Sequence, residues 1–419
     1  MIEIIKLLVV IAAIILLIRK KWNLGYIILL ASLFLGLLFG LNPKEMGINF
    51  VQAIIDPVTI RLIGIIVLVL LLSSILRRIE SLKDIVDSLQ KLVKDYRLIL
   101  AFIPSFLGLL PMPAGAMFSA PMVKEIGDRI GLTSEEDTFV NYWFRHIWEF
   151  VWPLYPSIIL LSALLGVGVR EIIMVQFPIS LVALIWGLIW QQRYLKKDEA
   201  KDKRGDFGFN IKKLFLSTWP ILLVISLVII IKIDILISLI LVILSLFLLN
   251  RAKMKTKVIM EIVKKDIPLN TLVLITGIMI FKRILEATGA IMVIPEVFTE
   301  LGIHPLVILF LIPFLIGMLT GITSAFVGIG FPVLLPFIIT QGEVNLNYAM
   351  FAFVGGYMGH MLSPMHLCLV VTNDYFKADV GKIYKMLIPP LIIITLSALI
   401  LIIVRLSPIF YLQSYLNIL

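Results

Sequence analysis

Apolar runs, not alternating patterns, dominate this chain. Near-continuous apolar stretches lie at 2–18, 22–41, 58–76, 136–166, 170–191, 213–231, 233–250, 269–285, 346–376 and 381–404. Most approach or exceed the roughly 20 residues an α-helix needs to cross a bilayer. Two further stretches, 98–123 and 305–340, carry a break rich in Pro, Gly, Thr or Ser near the middle. Each is short for two crossings and interrupted for one, so each is expected to be a re-entrant hairpin. Non-helical backbone at that depth needs protein or a wet cavity around it, which makes the hairpin tips candidate sites.

The runs also repeat. A shift of 211 residues carries 2–18 onto 213–229, 22–41 onto 233–252 and 170–191 onto 381–402. It also sets Pro121 on Pro332 and Pro153 on Pro364. The expected architecture is an all-α polytopic membrane protein. It has about ten transmembrane helices and two re-entrant hairpins in an inverted two-fold repeat. The first repeat spans 1–200, a cytoplasmic linker 201–212 and the second repeat 213–419. Inverted repeats with interrupted spans are a pattern of secondary transporters.

Composition bears on solvent and partners. Hydrophobic residues make up 60% of the 419 and charged residues 15%, with a mean hydropathy of +1.07. A soluble fold cannot hide that much apolar surface. The net charge of +10 sits between spans, so nucleic acid is not an expected partner. Of the 37 Lys and Arg, 28 fall in one set of loops and 7 in the other. Under the positive-inside rule the rich set faces the cytoplasm, which places both termini outside and turns the two hairpins in opposite directions. The first run is followed by Arg19-Lys20-Lys21 rather than preceded by its charges, so it reads as a retained helix and not a signal peptide. The stretch 77–97 has the spacing of an amphipathic surface helix. Cys368, the lone cysteine, excludes an internal disulfide and a Cys-built metal centre. No enzyme signature is present, and no cofactor or metal is expected.

Candidate chemistry lies in the two proline-bearing spans. The first reads Asn141-Tyr-Trp-Phe-Arg145-His146-Ile-Trp-Glu149-Phe-Val-Trp-Pro153, the second Gly355-Gly-Tyr-Met-Gly359-His360-Met-Leu-Ser363-Pro364-Met-His366. Proline removes a backbone donor and clashes with the preceding turn, so both helices are expected to break there. Half-helix N-termini at the breaks would suit an anion. Expected substrate-binding positions are Pro113, Ala114 and Gly115 at the first tip, Thr323 and Ser324 at the second, and Pro153, Ser363 and Pro364 at the breaks. Charged residues deep in a bilayer cost at least ~2.5 kcal/mol each, and usually have a role. Glu149, His360 and Arg145 are therefore the proton-coupling candidates. Arg145 and Glu149, four apart on one helix face, read equally as a structural ion pair. His360 reads equally as a satisfied packing histidine, and the hydroxyls at Thr320–Ser324 as helix caps.

The hairpins, the broken spans and the length resemble the ion-transporter superfamily. That group includes gluconate permeases, citrate and dicarboxylate transporters, arsenite permeases and some sodium–proton antiporters. The stretch Leu109–Val123 followed by Asn141–Leu160 is most similar to an uncharacterised prokaryotic membrane family related to gluconate permeases. The chain departs from sodium-coupled dicarboxylate members, which carry Ser-Asn-Thr at each tip. It has Met-Pro-Ala at the first and Thr-Ser at the second. The resemblance implies a homodimer built on 1–76 and 213–285. The expected function is secondary active transport of a small organic anion, a carboxylate or sugar acid, across the cytoplasmic membrane. Protons are the expected coupling ion, with sodium possible. The alternatives are a cation–proton antiporter or a non-transporting scaffold or accessory subunit.

Overall fold

The computed structural model describes residues 2–20, 22–79, 81–93, 95–109, 115–194, 207–251, 254, 256–290, 300 and 302–405. The described chain is almost entirely helical. The first part comprises α1 (Ile2–Arg19), α2 (Leu24–Leu38), α3 (Pro43–Ile55), α4 (Pro57–Arg78), α5 (Ser81–Leu92), α6 (Tyr96–Gly108), α7 (Ala116–Ile130), α8 (Ser134–His146), α9 (Pro156–Leu165) and α10 (Val169–Tyr194). The second comprises α11 (Phe207–Ile225), α12 (Ile235–Leu249), α13 (Thr256–Lys265), α14 (Leu269–Ala287), α15 (Pro305–Thr320), α16 (Thr323–Ala325), α17 (Phe331–Ile338), α18 (Leu346–Met361), α19 (Leu367–Phe376) and α20 (Val380–Arg405). π-helical turns follow α11 over Ser226–Ile230 and α16 over Phe326–Gly330. Two short strands, β1 (Ile339–Thr340) and β2 (Glu343–Val344), pair antiparallel. Gln341 and Gly342 turn the chain between them with positive φ, as a two-residue hairpin requires.

Among the described residues, four helices are long and apolar enough to cross a membrane: Pro57–Arg78, Val169–Arg193, Phe207–Ile230 and Val380–Arg405. Shorter apolar helices, α2, α6, α9, α12, α15 and α19 among them, fill the spaces around these. α11 starts at Phe207, so residues 207–212 are helical rather than linker. The linker's 201–206 lies outside the described residues. Element bounds recur at the 211-residue shift: α2 falls on α12, α9 on α19 and α10 on α20 with the same first and last residues. The left-handed residues that end or join these helices recur too, Gly131 with Gly342 and Gly166 with Lys377.

Local chemistry sets many boundaries. Asn42 and Glu45 form a reciprocal capping box at the start of α3, and Thr133 with Glu136 does the same for α8. Pro43, Pro57, Pro156 and Pro305 stand in the first turn of their helices, where the missing N–H costs nothing. α5 is amphipathic and packs on α11, where Lys213 Nζ reaches Asp84 at 2.7 Å.

Glycine lets several of these helices cross closely. α2 meets α14 through Gly25 and Gly277; a Cβ on Gly25 would stand 2.8 Å from the Leu274 nitrogen. α15 meets α18 along Gly317, Gly355 and Gly359, each pressed against a carbonyl oxygen of the facing helix. Small residues at such contacts let backbones approach where the surroundings supply no hydrophobic drive for helix association.

Candidate functional site

Both long proline-bearing spans are broken. α8 stops at His146, and the chain runs through turns to Tyr155 before α9 starts at Pro156. α18 stops at Met361, and α19 starts after His366. Tyr155 and His366 hold the equivalent place just before each second helix, both with extended backbone and neither making a side-chain cap. The starts of α9 and α19 are thus not capped by the side chain that precedes them.

The breaks bring costly side chains together. Arg145, His146, Glu149, His360 and His366 are all buried. Glu149 Oε2 and His360 Nε2 lie 3.4 Å apart, within ion-pair range but out of hydrogen-bond alignment. The His360 ring lies with its centroid 3.9 Å from that of His366 and 6.0 Å from that of His146, and the His146 and His366 centroids are 4.8 Å apart. His146 Nδ1 donates to the Tyr142 carbonyl at 2.6 Å. His366 Nδ1 lies 2.6 Å from the Tyr142 hydroxyl oxygen and 3.2 Å from the His360 carbonyl. The Tyr142 hydroxyl donates to the Met361 carbonyl at 3.0 Å, so His366 Nδ1 carries the proton it shares with that oxygen. Both assignments follow from the network, because a carbonyl only accepts. They leave Nε2 of His146 and of His366 with a free lone pair.

Other buried polar atoms near the breaks lack hydrogen-bond partners: Arg145 Nη1, Trp152 Nε1, Ser157 Oγ and both ring nitrogens of His360. An unsatisfied buried polar group costs roughly 1–3 kcal/mol. Such groups are few in native proteins, and their concentration at one place asks for a reason.

Residues at the 211-residue shift also touch one another. Tyr357 Oη donates to the His146 carbonyl at 3.3 Å, across that separation, and Glu149 and His360 stand in the same relation. Asn141 Nδ2 donates to the Ala116 carbonyl at 3.1 Å and lies 3.2 Å from Thr372 Oγ1 on α19. The Lys382 ammonium reaches Glu135 at 3.1 Å, outside the expected span. Lys382 holds the Glu135 carboxyl below the usual carboxylate range through that hydrogen bond.

The expected site residues divide as follows. Glu149, His360 and Arg145 lie in the buried cluster. His360 has no hydrogen bond at either nitrogen. Ser363 is buried and its Oγ accepts from the Met365 N–H at 3.1 Å, a turn-forming role. Pro153 is buried at the first break; Pro364 is exposed at the second. Gly115 is buried just before α7. Pro113 and Ala114 lie outside the described residues. Thr323 and Ser324 are half-buried at the start of α16, which packs against α9, while α7 packs against α19. Gly321, in the left-handed region at the end of α15, sits so close to His366 that an added Cβ would be 2.6 Å from its nitrogen. On the other side the Gly108 carbonyl accepts the Tyr155 hydroxyl at 2.5 Å. Thr320 is a cap: its Oγ1 donates to the Ile316 carbonyl at 2.7 Å and accepts from the Ile322 N–H at 3.3 Å.

His146 and His366 also join this group, the first one turn before Glu149 and the second just past Pro364. Ligand atoms of His146, Glu149 and His360 all lie within 4.8 Å of one another, as do those of His146, His366 and Cys368. A separate cavity of about 630 Å³ lies between α4, α9, α10 and α12, lined by Arg61, Arg170, Glu171, Lys232 and Asp234 among others. Arg61 and Asp234 pair at it, and none of the clustered residues lines it.

A family profile described as "Protein of unknown function (DUF401)" matches residues 2–405. No curated protein matches the chain.

Proposed function

The chain belongs to the DUF401 family of unknown function, and we propose that it is a secondary active transporter of a small organic anion, a carboxylate or sugar acid, coupled to protons. The observation that carries this is the contact of Glu149 with His360, 3.4 Å apart, each beside a helix break and 211 residues from the other. A two-fold related pair touches only where the relating axis passes between its members. Recurrence of element bounds at the same shift supports two copies of one unit, and the opposed Lys and Arg bias of their loops supports an inverted pair. Four long apolar helices support a place in the membrane. On this reading the chain is a multi-pass protein of the cytoplasmic membrane with both termini outside, working as a homodimer.

The division of labour follows from the residues. The solute lies among Gly115, Thr323, Ser324 and the starts of α9 and α19, where free N–H groups and partial positive charge favour an anion. Glu149 and His360 pass the proton, a carboxylate and an imidazole being groups that can each take up and release one.

Reconstituted protein provides the test. Glu149→Gln is expected to abolish solute accumulation driven by a pH gradient while leaving solute exchange. Accumulation on a pH gradient alone by both Glu149→Gln and His360→Asn would refute proton coupling and leave sodium at the second tip as the coupling ion. The inverted arrangement is tested in a Cys368→Ser background by single cysteines at Lys124 and Gln341. These are expected to label from opposite faces of the membrane, and labelling from one face rejects the inversion.

A further inference from the structure

The buried cluster has a second chemistry. We propose that His146, Glu149 and His360 form a binding site for one divalent first-row transition-metal ion of the zinc or cobalt class. Two imidazoles and one carboxylate are the donor set that borderline cations such as Zn²⁺ take.

Three independent features converge. The first is spacing: the three ligand atoms lie within 4.8 Å of one another, and one pair is already 3.4 Å apart. Bonds of ~2.0–2.2 Å in a tetrahedral shell set ligand atoms about 3.3 Å apart. The Glu149–His360 pair has that separation, and His146 closes the remainder by a small ring movement. The second is vacancy of bonding: Glu149 Oε2 and both nitrogens of His360 are buried without a hydrogen-bond partner, in side chains more than nine-tenths covered. The third is orientation: His146 donates Nδ1–H to the Tyr142 carbonyl, which fixes its tautomer and presents Nε2 as the ligand. A metal-bound histidine nearly always has such a partner on its other nitrogen.

The competing set, His146 with His366 and Cys368, is weaker. His366 is held by Tyr142, and Cys368 is only half-buried and must lose a proton to bind. With neutral imidazoles and one carboxylate, the bound ion keeps a single positive charge. Its fourth position therefore favours an anion over water. The proposal stands apart from the transport reading, since it needs only the three ligands. The two meet in one consequence: an ion held by Glu149 and His360 blocks their exchange of a proton.

The test uses full-length protein in detergent, stripped with a chelator and titrated with Co²⁺. Visible d–d absorption of tetrahedral cobalt is expected, saturating at one ion per chain and bleached by Zn²⁺. Glu149→Gln and His360→Gln, each checked for folding by circular dichroism and monodisperse elution, are expected to weaken binding at least ~10-fold, the lower end of what loss of even an outer-shell partner costs. Cys368→Ser is expected to leave the spectrum unchanged. No saturable cobalt binding by the unaltered protein overturns the proposal, as does binding that both ligand variants retain. A sulfur-to-cobalt band that vanishes in Cys368→Ser overturns the ligand set. No transported solute enters this titration, so its failure leaves the transport reading to its own test.

Discussion

At the first helix break the chain runs through Trp148, Phe150, Trp152 and Tyr155; at the second it runs through Leu362, Ser363, Pro364 and Met365. The helices leading in differ in the same sense. The first half has Phe144 and Arg145 at the end of α8 and Trp148 just beyond it where α18, at the 211-residue shift, carries Gly355, Gly356 and Gly359. Those three glycines face the Phe310 carbonyl, the Phe326 ring and the Phe314 carbonyl. In the first half one glycine, Gly108, stands against the Arg145 carbonyl instead. Matching positions are thus occupied by bulk on one side and by its absence on the other. The chemistry divides likewise: the first half brings the acid, the second brings two of the three clustered imidazoles.

The largest expected effect tests the glycine-lined half. Gly359→Ala would drive a Cβ into the Phe314 carbonyl and is expected to destabilise the protein by roughly 1–3 kcal/mol through overpacking. Gly47→Ala is the control: it sits in α3 with nothing within 4 Å and is expected to gain about 0.5–1 kcal/mol in helix propensity. Thermal unfolding in detergent reads both, and equal shifts would erase the contrast between the halves.

A smaller effect probes the aromatic half. Tyr155→Phe leaves the Gly108 carbonyl without its 2.5 Å donor, at an expected cost of roughly 1 kcal/mol. Tyr357→Phe removes a longer bond, 3.3 Å to the His146 carbonyl, and should cost less. The reverse order in the same unfolding assay would place the tighter anchoring in the second half.

The smallest effect lies at the surface contact joining α8 to α20. Lys382 lowers the Glu135 carboxyl, so this pair adds stability that is present above the ordinary carboxylate range. It is lost as pH falls through the depressed folded value. Lys382 is two-thirds exposed, so the contribution is roughly a few tenths of a kcal/mol. Lys382→Ala should therefore lower stability slightly at neutral pH and leave it unchanged in strong acid. A loss that persists in acid would assign the effect to something other than this pair.

Much of this arrangement was legible from local chemistry. Long apolar runs mark helices because their backbone has no other partner in lipid. Pro153, Pro156 and Pro364 mark breaks because proline cannot continue the hydrogen-bond ladder. α3 and α13 were not legible as separate elements, since each is short and mixed in character. Neither π-helical turn has a local sequence signal. The histidine cluster was legible only in part. His146 and Glu149 stand three residues apart in one segment, but His360 and His366 arrive by tertiary packing, and the unpartnered nitrogens of His360 have no counterpart in the pattern of residues. The 98–123 stretch illustrates the opposite case: Pro111 and Pro113 announce a break, while 110–114 lies outside the described residues.

Surface connections between helices ordinarily absorb insertions and deletions with little harm. Here α2, α9 and α10 begin and end at the same residues as α12, α19 and α20 after one constant shift. The turns at Gly131 and Gly342, and at Gly166 and Lys377, keep step as well. The intervening spacings are thus equal in the two halves although most of the residues in them differ. A single added residue after Gly166 would rotate α10 by about 100°, from 3.6 residues per turn, and carry its buried Gln176 and Ser180 away from the face they now occupy.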